Sequence, residues 1–131
     1  MQEETTGRSI LIVEDSATTR ALIRAVVEEM GDFTILEAGS GFEALKLLPS
    51  CEFQLVITDV NMPDINGLEL INFIKTNPRY SHIPLIIVST ERSEEDRKRG
   101  LALGAREYIT KPFKAQELQE AIKQALADES L

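Results

Sequence analysis

Short apolar runs recur along the chain, and the stretches between them return to apolar residues every three or four positions. The runs predict five β-strands, at residues 9–13, 33–37, 54–58, 85–88 and 107–110. In most of these runs the apolar residues are consecutive and do not alternate with polar ones. They are therefore typical of strands buried on both faces of a parallel sheet.

The intervening stretches predict five helices, at residues 17–30, 41–48, 67–76, 94–103 and 115–127. Apolar residues spaced by three and four form one stripe along a helix, which then packs on the sheet. We predict such a stripe in the first helix at Leu22, Ala25, Val26 and Met30, and in the last at Leu118, Ile122 and Leu126.

Helix start signals and the order of the elements complete the prediction of the fold class. Ser40 followed by Glu43 has the spacing of a capping box, and Ser93 with Asp96 is a weaker start signal for the fourth helix. Strict alternation of strands and helices predicts an α/β fold whose parallel strands are joined by right-handed crossovers.

Length and charge narrow the possible functions. A chain of 131 residues fits one domain, which we expect over residues 9–127, with a disordered polar tail at 1–8 and a C-terminal tail at 128–131. The net charge of −8 disfavours direct binding to nucleic acid or to anionic membranes. Cys51 is the only cysteine, the N-terminus is polar, and no run approaches the ~18 apolar residues that cross a bilayer. We therefore expect a cytoplasmic protein.

Chemically active side chains follow four of the predicted strands. The acidic pair Glu14-Asp15 follows the first strand, Asp59 the third, the hydroxyl of Ser89 the fourth and Lys111 the fifth. In an open α/β sheet, ligands bind at the carboxyl ends of the strands. Each group alone is explained as a turn or a helix cap, but caps do not explain why all of them lie at one edge.

The acidic groups predict a cation site. Two carboxylates about 4 Å apart repel each other by ~1 to 4 kcal/mol, and a divalent cation would offset that repulsion. Ligation by oxygen alone favours magnesium or manganese over zinc. The candidate ligands are Glu14, Asp15 and Asp59, with the backbone carbonyl of Asn61 as a further one.

The same edge fits a phosphoryl transfer onto Asp59, because carboxylates act as nucleophiles wherever aspartyl phosphates form. The transferred group carries negative charge on three oxygens, and the protein has to position and neutralise it. We expect the cation to hold one oxygen, Lys111 a second, and the Ser89 hydroxyl with nearby N–H groups a third.

Together these residues resemble the receiver domains of bacterial two-component response regulators, in particular the short CheY-type members without an attached output domain. The resemblance rests on four segments: Val13-Glu14-Asp15-Ser16 with Arg20, Asp59-Val60-Asn61-Met62-Pro63 with Gly67, Val88-Ser89-Thr90, and Gly104-Ala105 leading to Tyr108-Ile109-Thr110-Lys111-Pro112-Phe113. It implies a flavodoxin-like (βα)5 fold with a doubly wound, five-stranded parallel sheet in the order 2-1-3-4-5, the order shared by flavodoxin and CheY.

The resemblance also implies a role for each site residue. Asp59 would accept a phosphoryl group from a sensor histidine kinase or a phosphotransfer protein. Glu14, Asp15, Asp59 and the Asn61 carbonyl would hold Mg²⁺, and Lys111 would bind the phosphoryl group. The protein would catalyse only its own phosphotransfer and autodephosphorylation, and would otherwise be a signalling protein instead of an enzyme.

A switch and an output surface are implied in the same way. Ser89 would move toward the phosphoryl group, and Tyr108 would turn into the space that opens. The surface of the fourth helix, fifth strand and fifth helix would then change for a downstream protein target. The Lys111-Pro112 peptide bond would be cis.

Three other interpretations stay open from the sequence alone. Residues 39–44 match the dinucleotide fingerprint G-x-G-x-x-A, although they lie in the second βα unit and not in the first. A Mg²⁺-dependent phosphohydrolase with an aspartyl-phosphate intermediate would use similar residues, although the chain lacks the D-x-D motif expected after its first strand. The third interpretation is a receiver domain that serves only as a docking module, and the complete set of site residues argues against it.

Gly100 lies inside the predicted fourth helix, where glycine costs roughly 0.5–1 kcal/mol relative to alanine. One hypothesis is that it lowers the barrier to switching by making the helix easier to distort. The other is that it allows close packing against a neighbour.

Overall fold

The computed structural model describes residues 8–90 and 94–129, and Ser93, the predicted start signal of the fourth helix, lies outside them. The strands are β1 (Ser9–Val13), β2 (Thr34–Ala38), β3 (Leu55–Thr58), β4 (Leu85–Ser89) and β5 (Glu107–Thr110). The helices are α1 (Ala17–Glu28), α2 (Gly41–Leu47), α3 (Gly67–Thr76), α4 (Glu94–Leu103) and α5 (Ala115–Glu129). Within the described ranges, no helix has the length and hydropathy needed to cross a membrane.

All five strands are parallel and lie in the order β2-β1-β3-β4-β5. This confirms the predicted α/β class and the flavodoxin-like order that the resemblance implied. The strands β1, β3 and β4 lie inside the sheet with both faces covered, so that nearly all of their residues are buried. The edge strand β2 is only partly buried.

Two apolar layers cover the two faces of the sheet. Successive side chains of a strand point to opposite faces, so β1 contributes Leu11 and Val13 to one layer and Ile10 and Ile12 to the other. The helices α2 and α3 close the first layer, whereas α1 and α5 close the second.

The predicted stripe of α1 is wrong at two positions. Leu22 is 58% exposed and Ala25 is also exposed, while Ile23, Val26 and Val27 are buried against the sheet. Apolar residues at helical spacing lie on the exposed side of α1 as well as on its buried side. Spacing alone therefore did not determine which side faces the sheet.

The predicted stripe of α5 is confirmed. Leu118 and Ile122 are fully buried, and Leu126 is partly buried against the same layer. The helix continues to Glu129, two residues past its predicted end.

Two helices end earlier than predicted. Helix α1 ends at Glu28, and the chain turns at Gly31, whose φ of 147° favours glycine. Helix α2 ends at Leu47 and gives way to a 3₁₀ turn that contains Pro49, a residue without an N–H donor for a continuing helix.

The proposed tails at residues 1–8 and 128–131 stay predictions. Arg8, at the inner edge of the first, contacts the sheet. Its carbonyl accepts the N–H of Thr34 at 2.9 Å, and its guanidinium lies 4.6 Å from the centroid of the Phe33 ring.

The capping box predicted at α2 is only half formed. Ser40 Oγ accepts the N–H of Glu43 at 3.1 Å, but the Glu43 carboxylate accepts from Gly39 and not from Ser40. A complete capping box lies at α3, between Asn66 and Glu69, and the sequence analysis missed it. The spacing of an N-cap residue followed by glutamate three positions later was present there too.

Candidate functional site

The acidic residues lie at the carboxyl ends of β1 and β3. Val13 and Thr58 are register partners in these strands, so the residues that follow them, Glu14 and Asp59, come side by side. One carboxylate oxygen from each of Glu14, Asp15 and Asp59 lies within 4.8 Å of the others. Glu14 and Asp59 are buried and Asp15 is exposed, so this acidic cluster reaches the surface at Asp15.

Lys111 brings a positive charge to the cluster from the end of β5. Its Nζ donates to Glu14 Oε1 at 2.8 Å and to Asp59 Oδ2 at 3.3 Å. Its backbone N–H donates to the Ser89 carbonyl at 2.8 Å, which joins the ends of β4 and β5. The Lys111-Pro112 peptide bond is cis, as the resemblance implied.

Burial and mutual charge shift the pKa values of the paired groups. Burial raises the pKa of Glu14, and the charge of Asp59 adds to the effect, against hydrogen bonds from Lys111 and from the Ser16 N–H. Burial acts to lower the pKa of Lys111, but the hydrogen bond to Glu14 and the charges of both carboxylates outweigh it and raise that pKa. These surroundings keep Lys111 cationic and favour a further cation beside Glu14.

The two carboxylate oxygens of Asp59 have different surroundings. Oδ1 accepts the backbone N–H groups of Val60 at 2.6 Å and Asn61 at 3.3 Å, whereas Oδ2 faces Lys111. The backbone N–H of Asp59 donates to the Val13 carbonyl at 3.0 Å. The carboxylate is therefore held in one orientation from the main chain.

The loop between β3 and α3 returns to the site at Gly67, whose N–H donates to the Val60 carbonyl at 2.8 Å. A Cβ atom at this position would lie 2.0 Å from the Asp59 carbonyl oxygen and 2.7 Å from Val60 Cα. Any residue other than glycine would therefore displace the backbone that carries Asp59.

Ser89 and Tyr108, the two candidate switch residues, are both buried. Ser89 is the last residue of β4, and Tyr108 lies on β5 opposite Ile87. A Cβ atom at Gly100 of α4 would lie 2.6 Å from Ile87 Cδ1 and 3.5 Å from Tyr108 Cδ2. Close packing therefore accounts for the glycine, which favours the second of the two hypotheses.

Asp64 contributes to the site in a way that the sequence analysis missed. Its carboxylate accepts the backbone N–H groups of Gly41 at 3.0 Å, Phe42 at 2.9 Å and Ile65 at 2.7 Å. These bonds, above all that from Phe42, lower the pKa of Asp64 to about 2. They attach the β3–α3 loop, which follows Asp59, to the start of α2.

The hydrogen bonds between Asp64 and the start of α2 are also evidence against the dinucleotide interpretation. A nucleotide pyrophosphate binds to the free N–H groups at a helix N-terminus, and at α2 the Asp64 carboxylate already accepts those of Gly41 and Phe42. A Cβ at Gly41 would also lie 2.7 Å from Ile65 Cβ. Gly41, the second glycine of the G-x-G-x-x-A match, therefore serves loop packing.

Replacing Asp64 with alanine is expected to destabilise the fold near neutral pH, because the α2 N–H groups lose their acceptor. The folded-state pKa is depressed, so this contribution is present above the ordinary pKa of 3.8 and is lost as the pH falls toward about 2. The urea midpoint of Asp64→Ala should therefore be lower than that of the wild type at pH 7, and the two midpoints should lie closer together at pH 3. Asp64→Asn keeps one acceptor oxygen, so its midpoint should fall less than that of Asp64→Ala. Equal midpoints at pH 7 would contradict this role.

The comparison with known proteins agrees with the fold. Residues 10–123 match the family model of the response regulator receiver domain. The chain belongs to this family.

Relatives within the family include chemotaxis proteins. The chain is 38% identical over 118 residues to the chemotaxis protein CheY homolog of Campylobacter jejuni, covering 89% of this chain and 91% of that protein. It is 36% identical over 118 residues to chemotaxis protein CheY1 of Helicobacter pylori, covering 89% and 95%. The crystal structure of a CheY-like receiver domain protein from Methanospirillum hungatei matches with a TM-score of 0.86 and 28% identity, over 94% of this chain and 96% of that one.

Membership of this family defines the class of function. The chain is a CheY-like protein of two-component signalling, a switch activated by phosphorylation and not a dedicated enzyme. This finding overturns the phosphohydrolase alternative. Receiver domains bind Mg²⁺ through acidic residues and interact with histidine kinases and downstream targets, and the cluster of Glu14, Asp15 and Asp59 is such an acidic group.

Proposed function

We propose that this protein accepts a phosphoryl group on Asp59 from a phosphohistidine of a sensor kinase or phosphotransfer protein, in a step that needs Mg²⁺. The observation that carries the proposal is the meeting of three carboxylates and one ammonium group at a single edge of the sheet. Asp59 is a buried carboxylate that faces a lysine and lies among further acids. It can take up the additional negative charge of a phosphoryl group only where cations neutralise that charge.

The donor set fits Mg²⁺. Glu14, Asp15 and Asp59 would hold it, with the Asn61 carbonyl as a further ligand, since Mg²⁺ prefers oxygen and is usually bound by a few carboxylates together with a phosphate. The raised pKa of Glu14, caused by burial and by the charge of Asp59, supports a cation at this position. When bound, the ion neutralises charge on the oxygens of the transferred group.

We assign Oδ2 of Asp59 as the attacking oxygen, because Oδ1 already accepts two backbone N–H groups. The new bond forms between Oδ2 and phosphorus while the bond from phosphorus to the donor nitrogen breaks. The leaving imidazole takes that electron pair. Lys111 Nζ, 3.3 Å from Oδ2, would exchange its hydrogen bond to Glu14 for one to an incoming phosphoryl oxygen. Hydrolysis of the acyl phosphate by water would later reset the protein.

The proposed switch couples this event to the surface of α4, β5 and α5. Ser89 would move toward the phosphoryl group, and Tyr108 would turn inward. Tyr108 packs beside Gly100, and Arg97 of α4 donates from Nη1 to its carbonyl at 3.3 Å, so that its rotation would change the contact between β5 and α4. Phosphorylation would thus bias an equilibrium between two conformations, and a downstream protein would bind one of them.

Incubation with a small acyl phosphate tests the proposal by intact mass. We expect one phosphoryl adduct in the wild type with Mg²⁺, and none without the metal or in Asp59→Asn. Asp32→Asn is the matched control, because Asp32 is an exposed aspartate between α1 and β2, away from the carboxyl ends of the strands, and it should retain the adduct. An adduct in Asp59→Asn, or one that forms equally without Mg²⁺, would contradict the proposal.

A further inference from the structure

The loop between β1 and α1 carries Glu14 and Asp15, and Arg20 of α1 reaches back to hold it. Arg20 Nη1 donates to the Glu14 backbone carbonyl at 2.6 Å, and Arg20 Nε donates to Glu37 Oε1 at 3.0 Å. Glu37 lies on β2, so one guanidinium joins the loop to the neighbouring strand. Both side chains are partly buried, with exposures of 23% for Arg20 and 31% for Glu37.

Glu37 is itself held from two sides. Its second carboxylate oxygen accepts from Arg24 Nη1, and Arg24 also pairs with Glu28 at 3.0 Å along α1. A carboxylate fixed in this way determines the plane of the Arg20 guanidinium, because the Arg20 fork can bond Glu37 and the Glu14 carbonyl together only in a narrow range of orientations.

The carbonyl that Arg20 binds belongs to the peptide bond joining Glu14 to Asp15. The orientation of this peptide decides how the two carboxylates leave the main chain and whether both reach one point. The loop has further supports: the Glu14 N–H donates to the Ala38 carbonyl at 2.9 Å, and the Ser16 N–H donates to Glu14 Oε2 at 3.0 Å.

The charge of Arg20 and its geometry have opposite consequences for a bound cation. A guanidinium beside an acidic cluster repels a second cation, so the loss of its charge alone would strengthen Mg²⁺ binding. Loss of the constraint on the Glu14–Asp15 peptide would instead weaken it, because residues that hold metal ligands typically change metal affinity when they are removed.

We infer that Arg20, oriented by Glu37, is a positioning residue for the Mg²⁺ site. It fixes the peptide between Glu14 and Asp15 so that both carboxylates meet the same ion. The inference rests on the proposed function, because it takes Mg²⁺ to be the ion that these carboxylates bind.

Isothermal titration with Mg²⁺ alone measures the effect on the metal-binding step. We expect Arg20→Ala and Arg20→Lys to raise the dissociation constant on the order of tenfold. The lysine variant keeps the charge and loses the fork, so it separates geometry from electrostatics. Glu37→Gln should have a smaller effect in the same direction, and no further effect in the Arg20→Ala background, because Glu37 acts through Arg20.

Arg79→Ala is the matched control. It removes the same kind of side chain from an exposed position just before β4, at the opposite edge of the sheet from the acidic cluster, where the guanidinium lies 5.4 Å from the centroid of the Tyr80 ring. The Mg²⁺ dissociation constant of this variant should stay within about threefold of the wild type, because distant sites that share no partner act independently.

The rate of phosphorylation by a small acyl phosphate, measured against Mg²⁺ concentration, gives a readout that a general loss of stability would not change. In Arg20→Lys the Mg²⁺ concentration at half-maximal rate should rise, while the rate at saturating Mg²⁺ stays near that of the wild type. If Arg20→Ala fails to fold, Arg20→Lys and Glu37→Gln give the same test.

The possible outcomes separate this inference from the proposed function. Wild-type affinity in both Arg20 variants would overturn the inference alone, and so would tighter binding in Arg20→Ala. Failure of the wild type itself to bind Mg²⁺ would overturn the proposed function.

Discussion

Gly67→Ala is expected to suppress phosphorylation of Asp59 and to lower the free energy of unfolding by about 1–3 kcal/mol, the usual cost of forcing extra atoms into a packed region. The added Cβ would lie 2.0 Å from the Asp59 carbonyl oxygen, so the main chain has to shift. Because the Val60 N–H also holds Asp59 Oδ1, that shift would move the Asp59 carboxylate away from Lys111. Urea unfolding and the mass of the phosphoryl adduct measure the two effects.

Gly39→Ala is the control for this substitution. Gly39 also follows a strand, but a Cβ there would meet its nearest neighbours, Arg20 Nη1 and Glu43 Oε1, at an ordinary 3.5 Å. This variant should be phosphorylated and should unfold much like the wild type. Wild-type phosphorylation in Gly67→Ala would show that the β3–α3 loop does not determine the position of Asp59.

Lys111→Met is expected to lower the free energy of unfolding by about 3 kcal/mol in the absence of metal. Removing one partner of a buried ion pair leaves the other charge without compensation, and here two carboxylates, Glu14 and Asp59, lose their cation together. Because Mg²⁺ would supply the missing charge, its addition should restore much of the loss in stability. Phosphorylation should still fall, because the phosphoryl group would lack its ammonium partner.

The pH dependence of this variant follows from Glu14. The pKa of Glu14 is already raised in the folded wild type, although Lys111 acts to lower it. Removal of Lys111 should therefore raise the pKa of Glu14 further. A group with a raised pKa contributes stability below its ordinary pKa of 4.5, and that stability is lost as the pH rises through the folded value. The loss in free energy of unfolding that Lys111→Met causes should therefore be small near pH 4.5 and grow toward pH 8.

Lys114→Met provides the matched control, because Lys114 is an exposed lysine three residues further along the chain. Its urea midpoint should equal that of the wild type at every pH, with and without Mg²⁺. A metal-free Lys111→Met protein as stable as the wild type would mean that the acidic cluster needs no cation.

The architecture was predictable because the buried strands have a simple sequence pattern. Residues of β1, β3 and β4 are apolar without alternation, since helices cover both faces of the sheet. Strand order does not follow from such local patterns, and only the resemblance to receiver domains supplied it. Local spacing also failed to identify the buried face of α1, where Leu22 is exposed and Ile23 is buried.

The candidate site was predictable because its charged residues follow strands directly. Parallel pairing of Val13 with Thr58 is sufficient to bring Glu14 next to Asp59. The supports of the site were not predictable, because they join a side chain to a distant backbone group. Asp64 bonds to N–H groups 22 and 23 residues earlier in the chain, and no short motif shows such a contact.

The identity of the phosphorylated residue is the most direct test of the central claim. After reaction with a small acyl phosphate and Mg²⁺, borohydride reduces a phosphorylated aspartate to homoserine and leaves free carboxylates unchanged, so that peptide mass spectrometry locates it. We expect homoserine at position 59 only, and none in a sample treated without Mg²⁺. Homoserine at Asp15 or Asp64 instead, or its absence from the folded, Mg²⁺-treated protein, would contradict the assignment of Asp59 as the phosphoryl acceptor.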